Sequence, residues 1–127
     1  MREEDLSRIF HYIGGIIRAL SAHVYMVGGR PDHIHILASL PVSLSLSDYV
    51  RKIKSNSSKW MKTLGENYKD FSWQEGYGAF SVSESMKEAV TTYIDNQAKH
   101  HQKYTTHEEL ALFMKKYGIH HDSAETK

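Results

Sequence analysis

Two short runs joined by a glycine-rich connector constrain this chain most. Ala22-His23-Val24-Tyr25-Met26-Val27 and His33-Ile34-His35-Ile36-Leu37-Ala38-Ser39-Leu40 both have the alternation and β-branched content of strands. Between them lies Gly28-Gly29-Arg30-Pro31-Asp32, a turn-rich connector. Strands so close in sequence pair antiparallel, because a parallel crossover needs a dozen or more residues. A hairpin of this kind must bury at least one face, so the flanking segments have to supply helices.

They have the pattern to do so. Leu6, Ile9, Ile13, Ile16, Ile17 and Leu20 recur at helical spacing between Glu3 and Leu20. Gly14-Gly15 interrupts that stripe at about 1 kcal/mol each against alanine, which suggests close packing against another element. After Pro41, either Ser45 or Ser47 can cap a helix running to about Leu64, with Leu46, Tyr49, Val50, Ile53, Trp60 and Met61 inward. A polar, aromatic loop from Gly65 to Gly78 leads to a short strand, Ala79 to Val82. Ser83 then caps a third helix carrying Val90, Tyr93, Ile94, Gln97 and His101. A last short helix is expected from about Thr106 to Tyr117, and the tail from about 118 is expected to be loosely ordered.

The order helix, strand, strand, helix, strand, helix predicts an α+β fold. Its form is a ferredoxin-like antiparallel sheet with helices on one face, and with the first strand of that unit lacking. At 127 residues the chain reads as a single domain, 1–127. Zero cysteines exclude disulfides and thiolate zinc sites and fit a cytoplasmic location. The sequence has no apolar run of membrane-spanning length, so no membrane partner is expected. The formal net charge of +1 is weak, but Arg51, Lys52, Lys54, Lys59 and Lys62 cluster within one helix.

Side chains at i and i+2 of a strand share a face, so His33 and His35 project together while Ile34 and Ile36 go the other way. Two convergent imidazoles are half of a metal site. Tyr93 and Gln97 lie four apart on the third helix and share a face. A tyrosine hydroxyl can be a covalent nucleophile, and an amide oxygen can ligate a hard divalent ion. Two imidazoles, one amide oxygen and open positions suit Mg²⁺ or Mn²⁺. Each residue also has a plain structural reading. His-x-His can be a surface pair, Tyr93 a packing residue, the basic run a solvated helix face, and Trp73, Tyr77 and Phe80 core or loop anchors.

Together, however, four segments resemble one family. They are Val27-Gly28-Gly29-Arg30-Pro31-Asp32-His33-Ile34-His35-Ile36-Leu37, Ser47 to Trp60, Trp73 to Ser83, and Tyr93-Ile94-Asp95-Asn96-Gln97 followed by His100-His101. In this order and spacing they resemble the single-tyrosine HUH transposases of bacterial insertion sequences, including the REP-associated tyrosine transposases. The resemblance runs from about residue 5 to about residue 120.

That resemblance implies an HUH nuclease fold with His33, His35 and Gln97 as metal ligands and Tyr93 as nucleophile. It implies cleavage and rejoining of single-stranded DNA through a 5′-phosphotyrosine intermediate, with hairpin DNA as the partner. Arg51, Lys54 and Lys59 would contact phosphates, and Trp73 or Tyr77 would stack on an unpaired base. Family members act as homodimers or, among REP-associated relatives, as monomers. The family carries a strand before its first helix, whereas here Met1 stands almost at that helix. A decayed or domesticated relative that binds hairpin DNA without cutting it is therefore the alternative function. The histidine-triad hydrolase motif also begins His-x-His, but it wants a third histidine where this chain has Leu37.

Overall fold

Leu6, Ile9, Ile13, Ile16 and Ile17 form the buried stripe of helix α1 (Leu6–Ala19) in the computed structural model of the chain. The structure describes residues 1–96 and 121–122. A single 3₁₀ turn, Glu3–Asp5, leads into α1, and its three carboxylates suit the positive end of the helix dipole. At the other end Ser21 takes a positive φ of 65°. Ser21 N–H then reaches Arg18 O at 3.0 Å and Ala22 N–H reaches Ile17 O at 3.2 Å, which satisfies two terminal carbonyls and ends the helix.

The Gly14-Gly15 pair does not mark close packing. A Cβ at Gly15 would meet nothing within 4 Å, and one at Gly14 would meet the Arg18 guanidinium of the same helix at 3.3 Å. Gly15 is solvent-exposed and helical, so its cost is backbone entropy alone. Gly15→Ala should therefore raise stability by about 1 kcal/mol, read as a higher urea midpoint at unchanged slope.

The hairpin forms as expected, with one shift. Strand β1 spans Val24–Arg30 and strand β2 spans His33–Ala38. They pair antiparallel from Arg30↔His33 through Gly28↔His35 and Val27↔Ile36 to Val24↔Ala38, with an irregularity at Tyr25. Gly28 and Gly29 thus belong to the strand, and the connector shrinks to the two-residue turn Pro31-Asp32. No strand precedes α1 among the described residues, and β1 and β2 form a two-stranded sheet. Among the described residues the fold is α+β with a two-stranded antiparallel sheet and no strand ahead of α1, as the sequence led us to expect.

Helix α2 (Leu46–Met61) begins at Ser45, whose Oγ accepts from Asp48 N–H at 3.1 Å. Its Tyr49, Ile53, Ser57 and Met61 are buried. With the α1 stripe they cover one hairpin face, where Val24, Val27, Ile34, Ile36 and Ala38 pack. The Tyr49 hydroxyl donates to Ser39 O at 3.1 Å, tying α2 to the end of β2, and burial pushes the phenol up.

After a 3₁₀ turn at Glu84–Met86, helix α3 (Lys87–Asn96) packs on the other face. Its Val90 and Ile94 are buried with Leu37, and Met26, Val82 and Tyr93 pack around them. Helices on one face was therefore incomplete as an expectation. The hairpin carries apolar residues on both sides, and α1 and α2 use up one of them. Strand β3 (Ala79–Phe80) pairs antiparallel with β4 (His121–Asp122), so part of the tail expected to be loose from about 118 forms a bridge. Gln97, His100, His101 and the expected last helix lie outside the described residues. Among the described residues no helix is long and apolar enough to cross a membrane.

One polar cluster clamps the start of the chain. Tyr68 is buried, donates to Asp5 Oδ2 at 2.9 Å and accepts from Arg2 N–H at 2.8 Å. The Tyr68 hydrogen bond, with Arg8 beside it, holds the Asp5 carboxyl below its ordinary value of 3.8. A depressed carboxylate contributes stability that is present above the unfolded value and is lost as pH falls through the folded one. Tyr68→Phe should therefore flatten the fall in stability below about pH 4, measured as urea midpoints of the two proteins from pH 6 downward.

Candidate functional site

The strand pairing decides which side chains meet. Pairs directly opposite in an antiparallel ladder share a face, so Met26, Gly28 and Arg30 of β1 lie on the same side as Leu37, His35 and His33 of β2. That is the face on which α3 sits. Gly28 makes the approach possible: a Cβ there would stand 2.6 Å from Ile94 Cγ2 and 3.2 Å from the Ile94 carbonyl oxygen. At the start of α3, the Lys87 ammonium lies 3.9 Å from the Tyr25 ring centre and pairs with Glu84. The Glu84 hydrogen bond raises the Lys87 ammonium above its usual value. Both ends of α3 are thereby held against β1.

This docking brings a residue sixty positions downstream onto the histidine pair. The His33 and His35 rings are 4.9 Å apart in an edge-on arrangement, and the Tyr93 ring is 5.9 Å from that of His35. His33, His35 and Tyr93 are all half-buried. His33 Nδ1 lies 2.8 Å from Asp32 Oδ1. Burial would raise the Asp32 carboxyl, but the hydrogen bond and charge of His33, with Arg30 behind, outweigh it and hold the group below its ordinary value.

The donor chemistry of this corner fits a divalent ion. The two imidazoles share one face with their rings 4.9 Å apart, and imidazole nitrogen is a donor that a divalent ion such as Mn²⁺ would accept. Among the described residues no group of three or more His, Cys, Asp or Glu side chains converges on a metal position. The expected third ligand, Gln97, is an amide and lies outside the described residues. In sequence it follows Asn96 and lies four positions beyond Tyr93.

The five residues expected to contact DNA sit elsewhere. Arg51, Lys54 and Lys59 are on α2, behind the other hairpin face. Arg51 pairs with Asp48 at 3.0 Å. The Lys54 ammonium donates to the carbonyls of Gln74 at 2.9 Å and Gly76 at 2.8 Å, so it fastens the loop after α2. The Trp73 indole N–H donates to the buried Ser57 Oγ at 2.9 Å, and its ring meets Phe71 edge-on at 5.0 Å. Trp73 is thus a loop anchor packed on the core. Tyr77 is half-buried and follows the Gly76 carbonyl that Lys54 holds. Lys59 is exposed and lines a groove between α1 and α2 with Tyr12 and Trp60, whose rings stack at 4.1 Å.

Sequence reasoning missed Asp32, Gly28 and Ser57. Asp32 had a usable signal, a carboxylate immediately before the first histidine. The role of Gly28 depends on which helix crosses it and that of Ser57 on a tryptophan 16 positions away, and local pattern reveals neither.

The curated ISDra2 transposase TnpA of Deinococcus radiodurans is 29% identical over 76 residues, covering 53% of this chain and 51% of the relative. The chain thus spans about half the length of the curated relative it matches. No solved structure matches significantly. The family described as "Transposase IS200 like" matches residues 1–97, which include the hairpin, α2 and Tyr93. The chain therefore belongs to the IS200-like transposase family.

Proposed function

We propose that this chain cuts and rejoins single-stranded DNA with Tyr93 as nucleophile, beside a divalent cation, Mg²⁺ or Mn²⁺, held by His33, His35 and Gln97. The observation that carries the reading is the Tyr93 ring 5.9 Å from His35 on the face the two histidines share. Tyr93 is far from the two histidines in sequence, and its approach to the hairpin face that carries both imidazoles supports their acting together.

Bound there, the cation would supply charge to polarise the scissile phosphodiester and offset charge developing on its oxygens. The chain's own residues supply the rest. Tyr93 Oη forms a bond to phosphorus while the bond to the 3′ oxygen breaks. The phenolic proton leaves through solvent, and the departing oxygen takes up a proton to become a 3′-OH. The 5′ end stays on the tyrosine as a phosphodiester of similar energy, so a later 3′-OH can reverse the step without a nucleotide cofactor. Tyr93 contacts His35 of its own chain, which supports a nucleophile acting in cis in a monomer or within each subunit of a homodimer. Lys59 is the better phosphate contact among the residues expected to bind DNA, because Lys54 is engaged with two carbonyls and Arg51 with Asp48. Tyr77 is the better candidate for stacking, because Trp73 is engaged with Ser57.

The test incubates the purified chain with labelled, hairpin-bearing single-stranded DNA and Mn²⁺ or EDTA, and scores protein–DNA adduct on denaturing gels. An adduct that needs the metal and disappears in His33→Ala and His35→Ala supports the reading. DNA binding without adduct across several hairpins would leave a hairpin-binding relative that does not cut.

A further inference from the structure

The two-residue turn between β1 and β2 places a carboxylate against the first histidine. Asp32 Oδ1 lies 2.8 Å from His33 Nδ1. Asp32 is 78% exposed at its side chain and His33 is 11% exposed, so the carboxylate reaches inward from solvent to a largely covered ring. A neutral imidazole has one N–H and one lone pair, and an ionised carboxylate can only accept. With Asp32 accepting at Nδ1, that nitrogen carries the proton and Nε2 carries the lone pair.

We infer that Asp32 is a positioning residue that selects the Nδ1–H tautomer of His33 and turns Nε2 toward the divalent cation. The inference rests on the metal site of the proposed function and adds a residue that is itself no ligand. Its physical basis is general: a ligating imidazole is oriented, and made more basic, by the acceptor that holds its other nitrogen. The turn is suited to the task. Pro31 fixes its own φ, and Asp32 immediately precedes the strand, so its side chain can fold back on the next residue. The second histidine follows two positions on, where the pleat puts it on the same face.

The tautomer can be read without metal. Long-range ¹H–¹⁵N correlation of histidine-labelled, metal-free protein at pH 8, with His33 assigned by its loss in His33→Gln, reports which nitrogen is protonated. The wild type should show Nδ1–H at His33, and Asp32→Ala should shift the ring toward Nε2–H. In parallel, Mn²⁺ titration followed by electron paramagnetic resonance should show about 10- to 100-fold weaker binding in Asp32→Ala. Asp32→Asn keeps a carbonyl acceptor and should restore the wild-type tautomer and much of the affinity. Circular dichroism should be unchanged in both variants, as expected for an exposed residue.

An Nε2–H tautomer in the wild type, or equal Mn²⁺ affinity in Asp32→Ala, would overturn the inference. A wild type with Nδ1–H at His33 but no Mn²⁺ binding would instead sink the metal reading on which the inference rests.

Discussion

Gly29→Ala is expected to be the most damaging single-methyl addition to this fold, costing about 2–5 kcal/mol. Two penalties add. Gly29 sits at φ +145°, a conformation that side-chain-bearing residues rarely adopt. A Cβ there would also stand 2.4 Å from the His33 carbonyl oxygen and 2.8 Å from Ile34 Cα, both backbone atoms that cannot swing aside. The neighbouring Gly28→Ala should cost less, about 1–3 kcal/mol, because its tightest contact is the end of the Ile94 side chain. Urea unfolding of the two variants beside wild type gives the order directly. A Gly29→Ala midpoint equal to wild type would mean that the hairpin pairing described for Gly29↔Ile34 is wrong.

Gly28→Ala has a second consequence. Relief of its clash must come partly from α3 moving away from β1, since the Ile94 carbonyl is also within 3.2 Å of the added carbon. Such a shift carries Tyr93 away from His35. A folded Gly28→Ala protein should therefore lose adduct formation out of proportion to its modest loss of stability.

The second large effect is expected at Tyr93. Tyr93→Phe keeps a ring of the same size against His35 and the Leu37, Val90 and Ile94 cluster, so the fold should survive. It removes the hydroxyl proposed to bond to phosphorus, so the covalent adduct should vanish while affinity for hairpin DNA is unchanged. A persistent adduct would reassign the nucleophile and remove the basis of the proposed reaction. Mixing Tyr93→Phe with a His33→Ala, His35→Ala double variant then distinguishes the arrangement of the site. Cis sites stay inactive in the mixture, whereas an adduct appearing there would mean that one chain's tyrosine serves another chain's histidines.

Much of this corner was legible from local pattern, and the limits of that pattern are physical. The alternation around His33 and His35 dictates that both rings share a face, because the strand period is two wherever the strand lies. Capping at Ser45 and the stripe of α1 are equally local. The glycines were not legible. Gly14-Gly15 looked like a packing notch, yet Gly14 meets Arg18 of its own helix and Gly15 is exposed, while Gly28-Gly29 looked like a turn and is a strand under a helix. A glycine records that a side chain is missing, but not which neighbour required it to be.

The same distinction separates the residues expected to bind DNA. A lysine on a helix face and a tryptophan in a loop have the right chemistry for phosphate and base. Lys54 is nonetheless committed to two loop carbonyls, and Trp73 to a buried serine. Those partners lie 16 to 22 positions away in sequence, so no short window contains them.

By itself the sequence determined the elements whose period is local: the hairpin, the three helices, and the shared face of His33 and His35. It also carried enough motif to place the chain in its family. The tertiary structure decided which hairpin face each helix takes. That choice follows from α1 and α2 together consuming the Val24, Val27, Ile34 and Ile36 side. It left the side with Gly28 flat enough for α3 to lie directly on the backbone and carry Tyr93 to His35.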